Sequence, residues 1–254
     1  MAELLVLRGV DKSYLRGKRR LPVLRDVSLT VASGEIVAVV GSRDEGKTTL
    51  LRIASALEEP DAGEVWFGGR DLTRMPLRER EKLWRGEISW VSREGSTLGF
   101  EMLDYVALPM RVGGGRSASA VDDFAMAALE RVGLRSVARR RWEELSNWER
   151  VLVALARGIA PKPRLMVIDD VIDGLGISRT REAGELLCSL VRELGCGVLM
   201  SASDAEATLL ADRVWSFAGG GLRLISNRPV SSSNIVDFPG VAGAQSRGSS
   251  GLGY

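Results

Sequence analysis

The sequence predicts an α/β fold in which a mainly parallel β-sheet is flanked by helices. Three observations point there. Short apolar runs of strand character alternate with helix-patterned segments along most of the chain. The run Glu35–Val40 ends in a glycine-containing loop that leads straight into a helix pattern, a strand–loop–helix unit typical of parallel sheets. The 254 residues are 45% hydrophobic, enough for a sizeable core, yet no apolar stretch reaches the roughly 18 residues of a membrane span.

The elements follow in order. Leu4–Leu7 and Val27–Val31 are apolar strand runs, and Glu35–Val40 (EIVAVV) reads as a buried strand closed by Gly41. A helix pattern runs from Lys47 to about Ala56. Gly63–Gly68 is a further strand, Pro76–Arg85 a charged, solvated helix, and Ile88–Ser92 a short strand. From about Glu94 to Gly158 helix formers dominate, with clear runs at Val121–Val132 and Asn147–Arg157. Arg164–Asp169 (RLMVID) is an apolar strand ending in acid. A helix over Ser178–Leu194, a strand over Gly197–Ser201, a short helix over Asp204–Ala211 and strands at Arg213–Phe217 and Leu222–Ile225 complete the series. Residues 229–254 are rich in Ser and Gly and read as a mobile tail, with Ile235–Phe238 as a possible docking peptide within it.

Composition narrows the chemistry. The chain has 35 basic and 33 acidic residues, a formal charge of +2, and no histidine. Near-balanced charge argues against a nucleic-acid-coating protein. Without histidine there is no Ser-His-Asp or Cys-His nucleophile and no imidazole zinc site. Carboxylates, Lys, backbone amides or a bound cation must carry any reaction. Cys188 and Cys196 lack C-x-x-C spacing and read as buried free thiols in a reducing compartment. The N-terminal MAELLVLRGVDK carries charges at Glu3, Arg8 and Asp11 and has no signal-peptide pattern.

Gly41-Ser42-Arg43-Asp44-Glu45-Gly46-Lys47-Thr48 fits G-x-x-x-x-G-K-[ST] between a strand and a helix. Its backbone N–H groups and the helix N-terminus would cradle phosphate oxygens. Lys47 would reach the β- and γ-phosphates and the Thr48 hydroxyl would coordinate Mg²⁺. Asp44 and Glu45 are unusual company for phosphate. A carboxylate about 5 Å from phosphate at an effective dielectric near 20 would cost roughly 3 kcal/mol. Two orientations stay open: both side chains outward, with only backbone meeting the nucleotide, or one of them inward, weakening or abolishing binding.

Further segments, taken with this loop, resemble the ATP-binding subunits of ABC transporters over about residues 3–226. Tyr14, in VDKSYLRG, is similar to the aromatic that stacks on adenine. Leu145-Ser146-Asn147-Trp148-Glu149 and the following RVLVALARG resemble the signature motif and its helix. RLMVIDD resembles the Walker B strand, with Asp169 on Mg²⁺. LRGKRRLPVLRDVSL and LTRMPLREREKLWRGEI are similar to the lipoprotein-release and macrolide-export group. The resemblance implies a P-loop NTPase of ABC type: a mixed, mainly parallel sheet core, an antiparallel β subdomain and a helical subdomain inserted at about 94–158, all within 1–228. It also implies ATP and Mg²⁺ as ligands, with Thr49 beside Thr48 in the binding loop. The implied partners are a second ATP-binding subunit and transmembrane permease subunits, at the cytoplasmic face of the membrane.

The departures from the family pattern concern hydrolysis. Asn147-Trp148 replace the two glycines of LSGGQ, which removes positive-φ freedom and adds bulk where backbone must approach phosphate. Asp170 replaces the Glu that polarises the attacking water and is one methylene shorter. Ser203 stands where the switch His belongs, and Gly176 where an Asp contacts the partner. Arg93, or Ser92 in the alternative alignment, takes the place of the sensing Gln. These changes imply a regulatory or structural half that binds Mg-nucleotide, hydrolyses it poorly and pairs with a different, more competent ATPase. The alternatives are an ordinary active transporter ATPase, a soluble ABC protein without a permease, and a scaffold that binds no nucleotide.

Overall fold

The computed structural model describes residues 3–93, 99–113, 115–203 and 211–228. Two sheets organise them. A four-stranded sheet has the order β2-β1-β4-β5, from Arg19–Ala32, Glu3–Arg16, Ala62–Phe67 and Arg70–Asp71, with every pairing antiparallel. A six-stranded sheet has the order β10-β9-β3-β8-β7-β6, from Gly221–Asn227, Arg213–Ala218, Ile36–Val40, Gly197–Ala202, Leu165–Asp169 and Ile88–Ser92. Only its β9–β10 hairpin is antiparallel; the other four pairings are parallel. The α/β architecture, with one antiparallel and one mainly parallel sheet, is the one expected.

The six-stranded sheet is covered on both faces, which is why its strands read as continuous apolar runs. Along β3 the pleat sends Ile36 and Ala38 into one core and Val37 and Val39 into the other. The first core holds helices α3 (Met102–Gly113), α4 (Ala118–Arg131), α5 (Asn147–Ile159) and α6 (Ile177–Leu194). The second packs α1 (Lys47–Ala54), through Leu50, Leu51 and Ile53, against Leu5, Leu7 and Phe67 of the antiparallel sheet. Helix α2 (Leu77–Trp84) buries only Leu83, as its charged pattern suggests. Close packing explains Gly158 of α5: a Cβ there would lie 2.5 Å from Val91 Cγ2 on β6.

Two differences from the sequence reading have physical causes. Strands β1 and β2 are each 14 residues long, far beyond the runs Leu4–Leu7 and Val27–Val31. Only the inner part of the hairpin is buried; the outer part, out to the Arg16–Arg19 pairing, is half-buried to exposed and mixes charged residues with Tyr14, Leu15 and Leu21, so no apolar run reveals it. The two-residue β5 was not expected. It is too short to have a period and exists through pairing with Trp66 and Phe67. The tail 229–254, with Ile235–Phe238, lies outside the described residues, as does the segment read as a helix from Asp204, apart from its final residue Ala211. Cys196 is 1% exposed and burial pushes its thiol up to about 11, while Cys188, half-buried, is raised for the same reason, so neither is a reactive thiolate.

Candidate nucleotide site

Strand β3 delivers the chain into the loop 41–46 and α1 carries it away. Gly46 makes the turn at φ 114°, where a Cβ would also meet Val23 Cγ1 at 2.4 Å, so this position accepts only glycine. Lys47, 5% exposed, curls under the loop and donates to the carbonyls of Gly41 (2.7 Å) and Ser42 (2.9 Å). Thr48 Oγ1 donates to Asp169 Oδ2 at 2.9 Å and approaches Oδ1 at 3.2 Å, joining the start of α1 to the end of β7. Burial raises the Asp169 carboxyl above its usual range. The hydrogen bonds from Thr48 and Ser201 oppose that shift and the neighbouring Asp170 charge adds to it.

Above the loop lies an open cleft of about 620 Å³, lined by Tyr14, Arg43, Asp44, Gly46, Lys47, Thr48, Thr49 and Asp170, with Val23, Arg52 and Glu58. Tyr14 is 39% exposed, and its hydroxyl donates to Glu58 Oε1 at 2.6 Å and lies 3.3 Å from Thr49 Oγ1. Burial and the Glu58 carboxylate raise its pKa. The ring therefore stands fixed at the cleft wall, with the Lys12 ammonium 5.6 Å from its centroid.

The two acidic loop residues part company, so of the two orientations left open the one with both side chains outward is not the one seen. Asp44 is exposed on the cleft wall, at φ 62°. Glu45 turns back instead and accepts from the Ser42 N–H at 2.8 Å, clasping the loop from beneath and staying off the cleft wall. Asp44→Gly should thus relieve a left-handed backbone and remove a negative charge from the phosphate approach. Discounted for solvent screening, the expected gain is about fivefold in Mg-ATP affinity by calorimetry.

Beyond Asp169 the chain bends sharply. Asp170 takes φ 48°, its N–H donates to Ser201 Oγ at 2.8 Å, and its Oδ1 lies 2.7 Å from the same hydroxyl, which is also 3.0 Å from Asp169 Oδ1. Three residues later the buried carboxylate of Asp173 accepts from the backbone N–H of Ser203 at 3.0 and 3.2 Å. Ser203 itself is exposed. Ser201 and Asp173 were missed by sequence reasoning. The signal for Ser201 was faint: a hydroxyl closing an otherwise apolar strand beside an acidic pair.

The signature segment and Arg93 are not on the cleft wall. Asn147 and Trp148 form the first turn of α5 and neither takes a positive φ. The consequence of the replacement is bulk: Trp148 packs on the first core, and the Arg179 guanidinium lies 4.7 Å from its ring centroid. Ser146 caps α5 in a capping box with Glu149, accepting from its N–H at 3.2 Å and donating to its Oε2 at 2.8 Å, while Arg140 Nη1 lies 2.9 Å from Glu149 Oε1. Arg93 is exposed just past β6, and 94–98 lie outside the described residues.

The Ser146 N–H and hydroxyl bonds hold the Glu149 carboxyl below its usual range. A lowered native pKa means stability that is present above the ordinary carboxylate range and lost as pH falls through the native value. Ser146→Ala should cost about 1 kcal/mol at pH 7 and somewhat less near pH 3, where the hydroxyl's bond to the Glu149 carboxylate fades while the cap on the Glu149 N–H persists, compared by thermal or urea unfolding.

Residues 24–173 match the ABC transporter family. The chain belongs to that family. This ABC chain is 32% identical over 220 residues to the lipoprotein-releasing system ATP-binding protein LolD of Coxiella burnetii, covering 86% of the chain and 94% of the relative. It is 34% identical over 222 residues to the LolD of Cereibacter sphaeroides, covering 87% and 99%. Among solved structures it is similar to the dimeric post-hydrolysis state of the ATP-binding cassette MJ0796 bound to ADP and Pi: TM-score 0.81, 26% identity, 89% of this chain and 99% of that one. The resemblance to the lipoprotein-release group stands on these relatives.

Proposed function

We propose that the chain is a Mg-ATP-binding subunit that hydrolyses poorly and pairs with a second, more active ATPase on a transmembrane permease, as a peripheral protein at the cytoplasmic face of the membrane. One observation carries this reading: the groups that hold nucleotide are assembled, while the group that must polarise water is short. Lys47 is buried on the loop, and Thr48 and Asp169 meet at 2.9 Å, a pair of hard oxygen donors suited to Mg²⁺. When bound, the ion neutralises charge on the phosphates. Tyr14 stands at the same cleft for a base.

On the hydrolytic side, Asp170 is one methylene shorter than Glu and its Oδ1 is engaged by Ser201. Phosphoryl transfer depends on positioning and charge stabilisation, so a displaced carboxylate lowers the rate directly. Trp148 adds bulk to the signature and Ser203 supplies no imidazole. A homodimer would repeat these defects in both sites, which favours an unlike partner. The relatives named for a lipoprotein-releasing system support a membrane-coupled role, and among the described residues no helix is long and apolar enough to cross a membrane.

A second reading, an ordinary active ATPase, is favoured by one observation: Asp170 still lines the cleft. Steady-state hydrolysis by the purified chain distinguishes the two. Turnover of about 1 s⁻¹ or more, abolished by Lys47→Ala, establishes the second reading. Calorimetric Mg-ATP binding without such turnover supports the first.

A further inference from the structure

We propose that Ser201 is a positioning residue that restrains Asp170 and slows ATP cleavage at this site, an inference that rests on the cleft being a Mg-ATP site. Ser201 is fully buried at the end of β8. Its hydroxyl accepts from the Asp170 N–H at 2.8 Å and has one proton to share between Asp170 Oδ1 at 2.7 Å and Asp169 Oδ1 at 3.0 Å. Asp170 is thereby held twice by one side chain, through its backbone and its carboxylate, in a left-handed conformation at φ 48°.

The two acids are held differently. Asp169 also receives Thr48 from the cleft side, which keeps it where α1 begins. Asp170 has Ser201 as its side-chain partner, and that partner sits on the floor of the sheet rather than in the cleft. The bond draws Oδ1 down beside Asp169. A side chain already one methylene short cannot both keep it and extend toward a water at the γ-phosphate. In cleavage the water oxygen bonds to the γ-phosphorus, the bond to the β–γ bridging oxygen breaks, ADP leaves with that electron pair, and the water proton passes to the released phosphate. Asp170 orients that water only when its carboxylate is free to turn outward.

The test is single-turnover cleavage of Mg-[γ-³²P]ATP by the full chain in excess over nucleotide, with Kd measured alongside. Ser201→Ala is expected to raise the cleavage rate about fivefold while Kd stays within about twofold. Ser201→Cys, near in size but only a weak donor, shifts it in the same direction. In an Asp170→Asn background neither change alters the rate. Without nucleotide, urea unfolding of wild type, Ser201→Ala, Asp170→Asn and the double variant shows about tenfold coupling in the unfolding constant. A cleavage rate at or below wild type in both Ser201 variants, undetectable rates included, overturns the proposal. So does a rate gain that persists in the Asp170→Asn background, or unfolding effects that are simply additive. If neither wild type nor Ser201→Ala binds Mg-ATP, the nucleotide-site reading falls and this proposal with it; binding with unaltered cleavage overturns the proposal alone.

Discussion

Lys47→Ala is expected to weaken Mg-ATP binding by about a hundredfold, measured by calorimetry. The ammonium is buried under the loop, and its two hydrogen bonds go to loop carbonyls at 2.7 and 2.9 Å. A bound phosphate would meet a charge that is already in place, so little reorganisation is needed. Loss of a charged hydrogen-bonding partner costs about 1.5–3 kcal/mol, or one to two powers of ten in affinity. The same change leaves the carbonyls of Gly41 and Ser42 without Lys47, so a stability loss of about 1–3 kcal/mol is expected as well. Circular dichroism and urea unfolding separate that loss from the loss of binding, and Lys47→Arg separates charge from fit.

Asp170→Glu is expected to raise single-turnover ATP cleavage by about a hundredfold while changing Kd little. The added methylene moves the carboxylate outward by about 1.5 Å, and a 1 Å misplacement costs about a hundredfold in rate. Residue 170 already lines the cleft, so the longer side chain has room to extend. Its backbone is at φ 48°, which Asp tolerates better than Glu, so a modest fall in stability of about 1 kcal/mol should accompany the gain. Quench-flow with protein in excess reads the chemical step. A rate unchanged by this substitution would place the defect at Trp148 and Ser203 instead.

The readable parts of the sequence were those governed by local pattern. Buried strands such as β3 and β7 announce themselves because both faces are covered and nearly every residue is apolar. The phosphate loop is readable because Gly46 and Lys47 serve backbone geometry and charge that few other residues supply. The outer half of the β1–β2 hairpin was hidden because it is held by cross-strand pairing of mixed residues, such as Tyr14 with Leu21 and Leu15 with Arg20, and has no continuous apolar run. Side-chain direction was hidden for the same kind of reason. Asp44 and Glu45 are adjacent acids, and only the fold sends one to the cleft and the other onto the Ser42 N–H. Ser201 and Asp173 act across strands from β7 and its following loop, at sequence separations of 31 and 30, beyond the reach of any local motif.

The state of the nucleotide that the purified chain retains tests most directly whether the site binds Mg-ATP without cleaving it. After incubation with Mg-[γ-³²P]ATP and rapid gel filtration, the protein-bound label is resolved by chromatography. A site that holds Mg-ATP and cleaves it slowly retains nearly one nucleotide per chain, mostly intact ATP, and none on Lys47→Ala. Bound ADP with continuous release of inorganic phosphate, or no bound nucleotide, would contradict that expectation.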